Sequence, residues 1–201
     1  MRFLLTLLIG SILVPQAATP ATVESPETTR VLVAYHSQTG NTEALARQIA
    51  AAVDSVASVE VTLRKIEDVS DQDIRGADGI LVGTPVYWAS LHARVKDFLD
   101  RVGRVLDPKT LGEGRTAGAF CTGGAPSSGN ELARIAILSA LLNMRFVVIG
   151  GVETDGFGTL GAAATTGPAD PGLSEDEFEA ARLSGARFAR ITAELAQARR
   201  Q

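Results

Sequence analysis

The stretch Val31–Ala50, VLVAYHSQTGNTEALARQIA, decides the fold. Val31 to His36 is almost wholly apolar, as a strand covered on both faces must be. From Thr42 the period lengthens: Leu45, Ile49, Val53 and Val56 form one stripe of a helix expected from about Thr42 to Val56. Between strand and helix lies Ser37-Gln38-Thr39-Gly40-Asn41-Thr42, a loop of hydroxyl residues with one glycine and one asparagine.

The rest of the chain repeats the alternation. Val59 to Ile66 reads as a second strand, at an edge because it alternates, and Asp68 to Ala77 as a short helix or loop. Gly79 to Thr84 is a third strand ended by Pro85. A helix follows from about Ser90 to Leu106, with Val95, Phe98, Leu99, Val102 and Leu106 on one face. Arg115 to Thr122 gives the fourth strand. The helix from about Asn130 to Asn143 is apolar nearly all round, which predicts that it is well buried. Arg145 to Ile149 is the fifth strand, and Gly150 to Gly172, without period, reads as a long surface loop. Ser174 and Glu177 form a capping box that opens a last long helix. Five strands alternating with helices predict a doubly wound α/β sheet with helices on both faces, whose ligand sits at the carboxyl ends of the strands.

Three loops fall at those ends. In Ser37–Thr42 the unpaired N–H groups and positive dipole end of a first helical turn suit a phosphate, and Gly40 allows close approach. The loop has no lysine and lacks the dinucleotide glycine spacing, which favours a flavin mononucleotide over a nucleoside triphosphate. A plain turn capped by Thr39 or Asn41 uses the same residues. The second loop, Thr84–Ser90, sets Tyr87 beside Trp88, either along a planar ring or folded back onto the core. The third, Thr122–Gly129, has small residues and backbone amides that fit the polar edge of a flavin, or a flexible connector.

Together YHSQTGNTEALA, GTPVYWASLHARVKDFLDRVG and AFCTGGAPSSGNE resemble the flavodoxin-like NAD(P)H:quinone oxidoreductases of the WrbA type, from about Arg30 to the C-terminus. The resemblance implies a flavodoxin-like five-stranded parallel sheet in the order 2-1-3-4-5, non-covalent FMN, NADH or NADPH as donor, a quinone as acceptor, and a homo-oligomer, dimer or tetramer. By matching position it implies that Ser37, Gln38, Thr39, Gly40, Asn41 and Thr42 hold the phosphate. Val86, Tyr87 and Trp88 then lie along the ring, and Thr122, Gly123, Gly124, Ala125, Pro126 and Ser127 at its polar edge. Two positions depart from the pattern: Leu106 stands where the family often has an aromatic residue near the substrate, and Asn143 where it has a histidine near the ring. The alternatives are an exported electron carrier working with a redox protein partner, and a flavin-free binding module on the same fold.

Composition bounds the rest. The 201 residues suit one α/β domain, residues 30–201, and a net charge of −4 without a basic cluster outside the last helix argues against nucleic acid. The single cysteine, Cys121, permits no internal disulfide and reads as a small buried hydrophobe. His36, at the end of a strand beside the phosphate loop, reads as a satisfied structural histidine, with contact to that loop as the alternative, and His92 as the start of a helix at the surface. Met1–Ala21 has the layout of a signal peptide or membrane anchor, followed by a polar linker over residues 22–29. The expectation is a periplasmic or membrane-tethered protein, or a cytoplasmic one if that segment is not a functional signal.

Overall fold

A computed structural model describes residues 28–167 and 169–201. The signal-like segment and most of the linker lie outside the described residues. The linker reading overlaps them at residues 28 and 29, where Thr29 is already the first residue of a strand.

The elements are β1 (Thr29–Tyr35), α1 (Asn41–Asp54), β2 (Val59–Lys65), a 3₁₀ turn (Ile66–Asp68), α2 (Asp71–Gly76), β3 (Gly79–Tyr87), β4 (Ser90–Leu91), α3 (Ala93–Val105), β5 (Thr116–Gly123), α4 (Asn130–Asn143), β6 (Val147–Val148), β7 (Gly151–Val152), β8 (Gly158–Thr159), β9 (Ala163–Thr165) and α5 (Glu175–Arg200). The parallel sheet runs β2-β1-β3-β5-β6, the expected order with β2 at the edge.

Alternate residues of β1 feed two cores. Leu32 and Ala34 join Ile74, Phe98, Leu99, Ile137 and Leu141 under α2, α3 and α4. Val31, Val33 and Tyr35 join Leu45, Ile49, Val53 and Phe188 under α1 and α5. The central strands are thus buried on both faces, which is why they read as unbroken apolar runs. The capping box forms as expected at Ser174 and Glu177, and a second one forms at Ser70 and Asp73.

Three readings need correction. β3 does not end at Pro85 but continues to Tyr87, with Pro85 opposite Thr122 of β5. The register with β1 stops at Gly83, so the proline lies where that side of the strand is an edge and no ladder is broken. The fifth strand is split: Val147–Val148 pairs with Thr116–Ala117, and Ala163–Thr165 pairs with Cys121–Gly123. Part of the supposed surface loop is therefore sheet, with a β7–β8 hairpin inserted and Ala162 and Ala164 each only 2% exposed. Small alanines and glycines carry too little hydrophobic contrast for that alternation to be read. The third correction concerns α4, whose Leu132, Ile135 and Leu142 are 58%, 45% and 63% exposed, a dry-looking stripe left in solvent.

Candidate functional site

All three loops meet at the carboxyl edge of the sheet, and each is tied to another. Thr42 and Thr122 join the first loop to the third by a 2.7 Å bond between their hydroxyls, with both residues buried. The Tyr87 hydroxyl donates to Gln38 Oε1 at 2.6 Å, joining the second loop to the first. Gly129 presses on Ala89, joining the third to the second: a Cβ there would stand 2.4 Å from the Ala89 Cα.

In the first loop Gly40 takes φ 100° as the residue preceding α1, a conformation that favours glycine, and no side chain caps the helix. Neither Thr39 nor Asn41 is the cap. Asn41 instead donates to Thr39 Oγ1 at 3.2 Å and to Asp170 Oδ1 at 2.9 Å, while the Gly40 N–H donates to Ser37 Oγ at 3.2 Å. The first turn of α1 therefore presents N–H groups with no side-chain cap, beside hydroxyls and a glycine whose missing Cβ faces open space. An anion fits this cradle. Glu43 in that turn is bound by Arg47 at 2.6 Å and lies 3.6 Å from Lys65, and the Arg47 hydrogen bond holds its carboxyl below the usual range.

The second loop is a hairpin tip in which Tyr87 pairs with Ser90 and both Trp88 and Ala89 have positive φ, 53° and 59°. Trp88 is 99% exposed and Tyr87 39%, so neither folds back onto the core. Holding two residues with Cβ atoms left-handed costs about 1–2 kcal/mol each, so the tip is strained outward. Val86 pairs with Leu91 behind it. In the third loop Thr122 and Gly123 complete β5 and Gly124, Ala125, Pro126 and Ser127 are exposed, with Gly124 facing open space. The exposed aromatic tip and the glycine-bearing third loop thus stand at the same edge of the sheet.

Asn143, expected among the cofactor-binding residues because it stands where the family has a histidine near the ring, does not join this site. α4 starts beside the third loop at Asn130 and ends at Asn143, about 20 Å further along its axis. There Met144 O accepts from Gly112 N and Val147 pairs with the first residue of β5, so Asn143 lies at the amino ends of the strands. Leu106, at the C-terminal end of α3, is a core residue at 4% exposure. Both departures from the family pattern thus stand at the far end of the sheet.

Two features went unread. A fourth segment, after β9, closes on the rim through the Thr166 N–H on Gly123 O at 2.9 Å and Asp170 on Asn41. The histidines, 56 positions apart in a chain that has only these two, stack with ring centroids 4.3 Å apart. His92 caps α3 by accepting from the Arg94 N–H at Nδ1, and Tyr87 meets its ring edge-on. His36 is 7% exposed, its Nδ1 2.9 Å from Glu67 Oε1. Burial first, then the charges of His36 and Arg94, push the His92 imidazole below its ordinary range. Cys121, buried beneath the third loop, has its thiol pushed up to about 12 by burial and is no nucleophile. Among the described residues no His, Cys, Asp and Glu group could hold a metal ion.

The flavodoxin domain family matches residues 32–124, which carry the first two loops and all of β5. The chain is 34% identical to a flavodoxin of Aquifex aeolicus, over 86% of this chain and 91% of that one. It is 25% identical to an NAD(P)H dehydrogenase (quinone) of Solidesulfovibrio magneticus, over 82% and 98%. In three dimensions it is similar to the crystal structure of a WrbA-like flavodoxin from Agrobacterium tumefaciens, with a TM-score of 0.67 and 20% identity over 83% of this chain and 99% of the other.

Proposed function

The chain belongs to the flavodoxin family, and from that premise we propose that it binds FMN across the three loops and works as an NAD(P)H:quinone oxidoreductase. The observation that carries this reading is the mutual tethering of the loops by Gln38–Tyr87, Thr42–Thr122 and Ala89–Gly129, which builds one site from segments remote in sequence. Ser37, Gln38, Thr39, Gly40, Asn41 and Thr42 hold the phosphate. Val86, Tyr87 and Trp88 line the ring, and Thr122 to Ser127 bond its polar edge. When bound, FMN supplies two-electron chemistry, accepting a hydride from NADH or NADPH and returning two electrons to a quinone, which with protons becomes the hydroquinone. The chain's own residues bind and orient the ring and exclude water from one of its faces. Reconstitution with FMN followed by NADH or NADPH oxidation with benzoquinone tests it. A folded protein that takes up no flavin sinks the reading.

The 34% identical relative named a flavodoxin favours a second reading, an electron carrier acting with a redox protein partner. Flavin reduction by a protein donor only, with no nicotinamide turnover, would select it. The signal-like Met1–Ala21 supports export to the periplasm or tethering to a membrane, testable by cell fractionation and N-terminal sequencing of the mature protein. The apolar stripe on α4 supports a homo-oligomer, testable by light scattering on the wild type and Leu132→Lys.

A further inference from the structure

A pocket of about 650 Å³ opens between the first turn of α4, the β7–β8 hairpin and the middle of α5. That size suits a small-molecule ligand. Its walls are joined to the strand that carries the third loop. α4 starts directly after Gly129, so Arg134 stands only about 6 Å of helix rise beyond that loop. On another wall Thr159 and Leu160 lead into β9, which pairs with Cys121–Gly123.

Two guanidinium groups line this space. Arg134 is 4% exposed and held in one orientation: Nε donates to Asn130 O at 3.2 Å, and Nη1 to Thr159 Oγ1 at 3.1 Å and to Gly161 O. Its hydrogen bonds among the described residues use only Nε and Nη1, which leaves Nη2 with Glu131 Oε1 at 3.6 Å. Arg187 is exposed; among the described residues its Nε donates to Gly150 O at 3.4 Å and no carboxylate pairs with it. The pocket therefore sets two cations against one carboxylate, in a chain whose net charge is −4. Arginine forks held in this way suit a phosphate.

The hairpin supplies the other two features. Packing accounts for Gly150 and Gly151, where a Cβ would stand 2.6 Å from Thr159 O and from Ser184 Oγ. Gly158, which also lines the pocket, has no such reason: a Cβ there meets nothing within 4 Å, and its φ is not left-handed. Its missing side chain leaves room for a ligand instead. Phe157, between the lining residues Gly156 and Gly158, is 74% exposed and puts a flat apolar ring at the rim. Two phosphate-binding forks beside a stacking platform match a diphosphate that carries an adenosine.

Resting on the oxidoreductase reading, we propose that this pocket binds the adenosine diphosphate half of NADH or NADPH. Arg134 and Arg187 grip the diphosphate, Gly158 makes room for it, Phe157 stacks on the adenine, and Glu131 accepts from a ribose hydroxyl. The nicotinamide half then extends past the start of α4 toward the third loop, where the flavin is held. No bond forms or breaks in this step.

Calorimetry with ADP, adenosine and inorganic pyrophosphate, on the full chain with and without FMN, tests the assignment. ADP should bind more tightly than either fragment. Arg187→Ala should weaken both ADP and pyrophosphate about tenfold, whereas Phe157→Ala should weaken ADP by about that factor and leave pyrophosphate unmoved. Gly158→Val should block ADP without lowering the melting temperature or the FMN affinity. In turnover, Arg187→Ala and Gly158→Val should raise KM for NADH and NADPH about tenfold and leave KM for benzoquinone in place. Turnover with nicotinamide KM and ADP binding unaffected by these variants overturns the inference and leaves the FMN reading standing, as does an active enzyme that binds neither ADP nor pyrophosphate. ADP binding that responds to the variants, with no oxidation of either nicotinamide, supports the nucleotide pocket and overturns the oxidoreductase reading.

Discussion

The hydroxyls of Thr42 and Thr122 lie 2.7 Å apart across 80 residues of chain, with both side chains buried. The bond fastens the first turn of α1, and so the phosphate cradle, to the carboxyl end of β5. Replacing either residue by valine keeps the shape and leaves the other hydroxyl buried without this partner, which costs about 1–3 kcal/mol. Thr42→Val and Thr122→Val should each lower stability in urea by that order, while the double variant loses less than the sum. A double-mutant cycle read by equilibrium unfolding checks it, and additive losses would mean that the two hydroxyls do not act as a pair.

Two glycines with the same φ of 100° should respond differently to alanine. At Gly40 a Cβ meets nothing within 4 Å, so Gly40→Ala carries only the left-handed backbone penalty, about 1–2 kcal/mol. At Gly129 the Cβ would collide with Ala89, so Gly129→Ala must also push the Trp88 hairpin away. The larger loss of stability is expected at Gly129, together with weaker flavin binding, measured by thermal unfolding and FMN fluorescence quenching.

Trp88 touches little of its own chain, being 99% exposed at φ 53°. Trp88→Gly should therefore leave apo stability unchanged or raise it by about 1 kcal/mol as strain is released. FMN affinity should fall roughly tenfold, the scale of a lost aromatic contact of about 1–1.5 kcal/mol. A fall in apo melting temperature would show that the ring packs on the fold itself.

Acidification should weaken the apo protein through His92. Its folded-state value lies below the ordinary 6.5, chiefly through burial, so the unfolded chain binds the extra proton more readily. The contribution is fully present above about pH 6.5 and is lost as pH falls below it toward the depressed folded value. Unfolding at pH 7 and pH 5 should differ in the wild type and differ less in His92→Asn, which keeps a capping side chain. Loss of stability toward higher pH would contradict the sign.

Burial with a thiol pushed up to about 12 makes Cys121 inert in the folded state. Alkylation by iodoacetamide at pH 8 should follow global unfolding, and Cys121→Ala should retain flavin binding.

Much of the fold was legible because its signals are local. β1 and β3 read as strands from continuous β-branched runs, α4 was bounded as it stands at Asn130 and Asn143, and the Ser174 cap announced α5. The split last strand was not, since Ala163–Thr165 pairs with β5 through alanine-rich sequence indistinguishable from loop. The site divided in the same way. Ser37–Thr42 advertised itself by composition, whereas Asp170 beside Asn41 and His36 against His92 arise from packing between segments with no common pattern.

The amino-acid sequence by itself determined the doubly wound sheet and the loop at the end of β1, because apolar period and turn chemistry act over a few residues, and the strand order followed from the family resemblance of its motifs. Only the tertiary structure decided which side chains face one another across that edge. It removed Asn143 and Leu106 to the far end of the sheet, since a helix carries its C-terminal end away from the loop that starts it. It also gave His36 a buried nitrogen with no hydrogen-bond partner among the described residues, because burial and hydrogen-bond accounting exist only once the chain has closed on itself.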